Sequence, residues 1–189
     1  MSDPGRHSRG GMTYAEYAAL PDDGKRYQLV EGELIEMASP TTWHQLVTGE
    51  FYFALRQHVD PRGLGRVMVS PLDIVLTDRT ALQPDVLFIS NERAGIFRDA
   101  NIGGAPDLCI EVLSPSSARL DRVRKRDLYA RHGVVHYWIV DFETRTIEEL
   151  VLEGETYRQR GITAEADVFR PALVPGFEFR LADVDLPRS

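Results

Sequence analysis

Cysteine and lysine are nearly absent from this chain. Cys109 is the only cysteine in 189 residues, which excludes an internal disulfide and any multi-cysteine zinc site. No run of about 18 apolar residues exists, so no transmembrane helix and no membrane partner are expected. Residues 1–11 are rich in Gly, Ser, Arg and His and hold no apolar stretch. They do not read as a secretory signal and are expected to be disordered, with a cytoplasmic location as the default. A Walker-type phosphate loop is missing, because Gly103-Gly104 lacks the following lysine and serine. No Gly-x-Ser-x-Gly elbow surrounds Ser114 or Ser116, which leaves these serines turn and N-cap roles around Pro115. The net charge of −7 argues against indiscriminate binding of polyanions, though a local basic surface stays compatible with it.

What is present suffices for one domain over residues 12–189, since 43% of the chain is hydrophobic and can bury a proper core. A short helix is expected over 13–20, with Thr13 and Glu16 spaced as a capping box. Residues 26–37 read as a hairpin around Glu31-Gly32. A helix follows over 42–59, and three strands over 66–76, 82–89 and 108–113. A basic helix over 116–132 ends at Gly133. The strand 135–141, a hairpin over 146–160 and a last edge strand over 177–181 complete the pattern. The fold class is α+β, with helices packed on a mixed sheet. The basic helix is long enough to connect two parallel neighbours.

The chemistry begins with Glu111, set in the apolar run Leu-Cys-Ile-Glu-Val-Leu (108–113). A bare carboxylate in a buried strand costs several kcal/mol unless it is neutralised. Asp85 opens a second strand-like run directly after Pro84. Two acids from adjacent strands would satisfy Mg²⁺ or Mn²⁺, which take one or two protein carboxylates with water and phosphate oxygens. The carbonyl of Val112 is a further candidate ligand. The alternative is that Asp85 caps a turn and Glu111 pairs with an arginine.

Of the 22 lysines and arginines only Lys25 and Lys125 are lysines. A lysine between Arg124 and Arg126 marks a place where a compact, tunable charge serves better than a guanidinium. At about 100° per residue, Asp121, Lys125, Tyr129 and His132 share one side of the helix, next to a flank of Leu120, Val123 and Ala130 expected to be buried. Lys125 can thus lean toward the two acids, or form a surface i,i+4 pair with Asp121. Tyr137 and Trp138 read as core. Asp73 faces either a cleft or water.

The stretches YQLVEGELIEMASPTTWH (27–44), QPDVLFIS (83–90) and PDLCIEVLSPSSARLDRVRKRDLYARHGVVHYWIVD (106–141) resemble the Uma-type restriction-endonuclease family of the PD-(D/E)XK superfamily. The resemblance implies a restriction-endonuclease-like core and magnesium-dependent cleavage of DNA. Asp85 then matches the acid of the PD motif and Glu111 the second acid. Leu113 stands where the superfamily carries its lysine, and the resemblance implies that Lys125 takes over. It also places His44 near the metal or the scissile phosphate, against the alternative of a helix-start residue bonded to backbone. Glu33 matches a family position, Glu50 is the candidate acid on the 42–59 helix, and Gln28 replaces a common acid and is not expected to be a ligand. Arg122, Arg124, Arg126 and Tyr129 are the expected substrate contacts. The rival expectation is a non-catalytic nuclease-like scaffold that binds nucleic acid or a protein partner. A homodimer through apolar outer strands is also expected.

Overall fold

The computed structural model describes residues 11–115, 117–141 and 143–185. The expected disorder of residues 1–10 and the N-cap role of Ser116 lie outside the described residues. The chain runs α1 (Tyr14–Ala18), β1 (Arg26–Val30), β2 (Glu33–Met37), α2 (Thr42–Val59), β3 (Gly65–Val69), β4 (Ile74–Thr77), β5 (Thr80–Leu82), β6 (Val86–Ser90), β7 (Leu108–Val112), α3 (Arg126–Arg131), β8 (His136–Asp141), β9 (Thr146–Glu153) and β10 (Thr156–Ala164). A π-helical turn, Leu120–Lys125, leads directly into α3.

The α+β mixed-sheet expectation holds, but the strands divide between two sheets. One is antiparallel in the order β2-β1-β5-β4, and the other runs β10-β9-β8-β7-β6-β3. Within the larger sheet only β7 and β8 are parallel, and the basic helix supplies their crossover. The strands expected over 66–76 and 82–89 are each cut in two, with the first half of one and the second half of the other in the larger sheet. Pro71 and Pro84 stand at the cuts, and neither has an N–H to continue a ladder. The tight β4–β5 hairpin that results was not expected.

Several local signals act as read. Thr13 Oγ1 accepts from the Glu16 N–H while Glu16 accepts from the Thr13 N–H, closing the capping box. Glu31 and Gly32 both adopt positive φ, 53° and 83°, the backbone of a two-residue turn that matches strand twist. The edge strand expected over 177–181 is reduced to one bridge, Phe169 to Phe179, before the 3₁₀ turn Leu181–Asp183. Its apolar side chains are drawn down into the core instead. The outer strand β10 presents Arg158, Gln159 and Arg160 to solvent, together with Ile162, which is 55% exposed.

Alternation along β6 and β7 creates two different faces. Val86, Phe88, Leu108, Ile110 and Val112 meet α2 through Val47, Phe51, Leu55 and Val59. The C-terminal segment closes this core, with the Phe51 and Phe179 rings stacked at 3.9 Å. Leu87, Ile89, Cys109 and Leu113 face the other way, toward the small sheet, Leu128, Tyr129 and Tyr137. Among the described residues no helix is long and apolar enough to cross a membrane.

Candidate active site

The β6–β7 register aligns Val86 with Ile110 and Leu87 with Cys109. Asp85 stands one residue before β6, and its carboxylate reaches β7 at the Val112 N–H, next to Glu111. Both acids line one cavity of about 600 Å³.

Each acid is fixed through one of its oxygens. Asp85 Oδ2 accepts from the Val112 N–H at 2.8 Å and from His44 Nε2 at 3.1 Å. A carboxylate only accepts, so Nε2 carries the imidazole proton and Nδ1 is left to face Thr48 Oγ1 at 3.5 Å. Glu111 Oε1 accepts from Lys125 Nζ at 2.8 Å and from the Tyr129 hydroxyl at 2.7 Å. Asp85 Oδ1 and Glu111 Oε2 have no protein partner among the described residues and open on the cavity.

Lys125 completes the arrangement. Its Nζ lies 3.0 Å from Asp121 Oδ1 as well as on Glu111, and all three side chains are at most 2% exposed. The Asp121–Lys125 pair is thus buried rather than on the surface. The helix turns Asp121, Lys125, Leu128 and Tyr129 inward and leaves Val123, expected in the buried flank, 61% exposed. Only the acid-bearing sheet face explains this reversal: an ammonium there offsets the cost of burying Glu111.

Charge does not balance at this site. Burial pushes the Glu111 carboxyl well above the usual carboxylate range; Lys125 pulls it back, and Asp121 and Asp85 push it further up. Burial by itself lowers the Lys125 ammonium, but Asp121, Glu111 and Asp85 outweigh burial and hold it above the ordinary lysine value. Burial, then Glu111, keep the Tyr129 phenol protonated, so it stays a donor. Lys125 pairs with two acids, Glu111 and Asp121, while Asp85 is held by His44 and the Val112 N–H.

The donor set suits a hard divalent cation, which needs oxygen ligands and only one or two carboxylates. Asp85 Oδ1 and Glu111 Oε2 are the oxygens available to it. Among the described residues no group of three His, Cys, Asp or Glu side chains forms a ready-made metal cage, so any further ligands would be water, backbone or substrate. Val112 enters the site through its N–H on Asp85.

Of the expected substrate contacts, only Arg124 lines the cavity, where it pairs with Glu33 at 2.8 Å. Arg122 is taken by Asp141 and Glu148 on β8 and β9, and Arg126 reaches the Tyr157 carbonyl. Tyr129 is fully buried beneath Glu111. Each of these three side chains is held by the protein, and none lines the cavity. Glu50 is exposed on α2 and does not line the cavity. Asp73 accepts from Tyr14, Tyr17 and Gln83, docking α1 onto the small sheet. Tyr137 and Trp138 are fully buried core.

Sequence reasoning missed three participants. Asp121 shares a helix side with Lys125 and Tyr129 in the sequence, which offers it only a surface pair with Lys125 and no place in the buried cluster. Gln28 is 1% exposed and lines the cavity. Arg119 also lines the cavity and is exposed, with no side-chain partner among the described residues.

Residues 14–184 match the model of the Uma2 family, described as "Putative restriction endonuclease". The chain belongs to the Uma2 family. A crystal structure of a "putative nuclease belonging to DUF820" from Anabaena variabilis superposes with a TM-score of 0.75 at 20% identity, covering 92% of this chain and 97% of that one. At that identity the likeness speaks for the fold of this Uma2 family member. No curated protein matches the chain.

Proposed function

We propose that this Uma2 family member is a metal-dependent nuclease that hydrolyses phosphodiester bonds in DNA. The reading rests on one observation above the others. Asp85, just before β6, and Glu111 on β7 line one cavity beside a buried lysine, and one oxygen of each has no protein partner among the described residues. Family membership supports hydrolysis of nucleic acid as the reaction class.

Asp85 and Glu111 would hold Mg²⁺ or Mn²⁺, which when bound polarises a phosphate oxygen and lowers the pKa of a coordinated water. The chain's own residues do the rest. His44 and the Val112 N–H fix the Asp85 carboxylate, and Tyr129 and Lys125 fix that of Glu111, so little reorganisation remains when substrate arrives. Lys125 keeps its proton and places positive charge where the phosphate becomes more negative. Arg119 and Arg124 on the rim hold neighbouring phosphates, contacts that position a strand without reading its sequence.

The test is cleavage of plasmid and single-stranded DNA with Mn²⁺, comparing wild type with Glu111→Gln, Lys125→Ala and Lys125→Arg. Loss of about a thousandfold in rate or more is expected for Glu111→Gln, since a ligand and a fixed charge go together. Affinity for DNA falls steeply as salt rises, because neutralised phosphates release counterions. Calorimetric Mn²⁺ binding that survives both Asp85→Asn and Glu111→Gln would end the enzyme reading. A second reading, a scaffold that binds without cutting, draws on Lys125 being already engaged by two carboxylates. It predicts binding with the same salt dependence and no cleavage by wild type.

A further inference from the structure

The acids lie at the bottom of the cavity rather than on a flat or convex surface. Glu111 and Lys125 are each 2% exposed and Asp85 8%. A volume of about 600 Å³ falls within the size range of small-ligand pockets. Two elements form the walls. The β1–β2 hairpin contributes Ile35 and Met37, cross-strand partners of Gln28 and Arg26, and the π-helical turn contributes Leu120 and Val123. Val123 is an exposed apolar side chain between the rim cations Arg119 and Arg124.

Polar groups on the hairpin wall lack partners. Among the described residues the Gln28 side chain has no hydrogen-bond partner although the residue is 1% exposed, and its Oε1 is buried without a donor. Arg26 spends one terminal nitrogen on Ser70 and Gln83 but leaves its buried Nε–H without an acceptor. A buried amide left unpaired is costly, so a ligand with both donors and acceptors fits this wall. Apolar walls, an unpartnered amide, cations at the rim and acids at the floor match the parts of one nucleotide: a flat base, its polar edge, and phosphate.

We infer that the cavity takes a single nucleotide splayed out of its strand, so the substrate is single-stranded DNA or an unpaired nucleotide within a duplex. The inference rests on the nuclease reading and narrows its substrate. The base lies between Val123 and the Ile35–Met37 surface, its edge meets Gln28, and its phosphate reaches the floor. Enzymes that act deep in a pocket gain access in this way, and an unpaired nucleotide costs least to extrude.

The test uses full-length, metal-free protein and oligonucleotides carrying one 2-aminopurine, whose emission reports unstacking. Three forms are titrated: single strand, blunt duplex of the same sequence, and duplex with the 2-aminopurine unpaired. The single strand and the unpaired form bind at least about tenfold more tightly than the blunt duplex, with a change in emission. Val123→Asp and Gln28→Leu each weaken single-strand binding by about tenfold. Val123 is exposed, so its variant keeps the wild-type melting temperature. Equal affinity for blunt duplex and single strand overturns the inference, as do two variants that bind like wild type. Cleavage with Mn²⁺ separates the two proposals. Single strands bound as expected but left intact would refute the nuclease and leave the pocket standing. Blunt duplex cut as fast as single strand would keep the nuclease and refute the pocket.

Discussion

Leu108, Ile110 and Val112 leave one face of β7, and Cys109, Glu111 and Leu113 leave the other. Both faces are fully covered, yet they are built on opposite terms. The α2 face is mostly apolar, from Val47 to Trp138 and Phe179, with Thr48 and His58 as buried polar side chains of α2 and no buried ion pair among the described residues. The opposite face holds Glu111, Lys125 and Asp121 in an ionic cluster as deeply buried as any leucine. Stability alone does not call for such a cluster, because an apolar set of equal volume is often as stable or more so. The contrast teaches that a single strand serves as core on one side and as the floor of a reactive cavity on the other.

The largest expected effect strikes the ionic face. Lys125→Met leaves Glu111 and Asp121 without their cation and costs about 3–5 kcal/mol in urea unfolding. A triple variant, Glu111→Leu, Asp121→Leu and Lys125→Met, recovers wild-type stability or exceeds it while losing Mn²⁺ binding. If the triple variant is less stable than Lys125→Met alone, the cluster is structural and the contrast fails.

A smaller effect tests the apolar face at the residue beside Glu111. Ile110→Val removes one methylene from a fully buried side chain and lowers stability by about 0.5–1.5 kcal/mol. Cleavage per folded molecule stays at the wild-type level. A drop in cleavage larger than the loss of folded protein would show that the two faces are not independent.

The smallest effect lies outside both faces, at Arg122 with Asp141 and Glu148. Arg122→Ala costs up to about 1 kcal/mol near neutral pH, as partly exposed pairs do. Burial alone raises the Asp141 carboxyl, but the Arg122 hydrogen bond and the N–H groups of Thr144 and Glu143 outweigh it and hold it below the usual range. A depressed folded-state pKa gives stability present above the unfolded value of about 3.9 and lost as pH falls through the folded one. The gap between wild type and Arg122→Ala therefore narrows below about pH 4 in urea titrations. A gap that widens there would remove Asp141 as the partner that matters.

Much of the fold was legible in order. The Thr13–Glu16 box, the Glu31-Gly32 turn and the parallel β7–β8 pair each follow from residues close in sequence or from one chain-length rule. Asp85 and Glu111 could be singled out because each interrupts an apolar strand. Less legible were the roles of charged residues. Arg122, Arg124 and Arg126 look alike in sequence, yet one is held by β8 and β9, one reaches the cavity, and one bonds a carbonyl of β10. Their partners lie far along the chain, so no local spacing distinguishes them.

Local composition by itself determined where most helices and strands form and that a carboxylate would be buried in β7, because propensity, turn geometry and apolar patterning act over a few residues. Tertiary structure alone decided that the strands divide into two sheets, that Asp121 and Lys125 turn inward while Val123 turns out, and that Gln28 faces the cavity. Those outcomes depend on pairing surfaces and charges from distant segments, whose energies exist only once the segments meet.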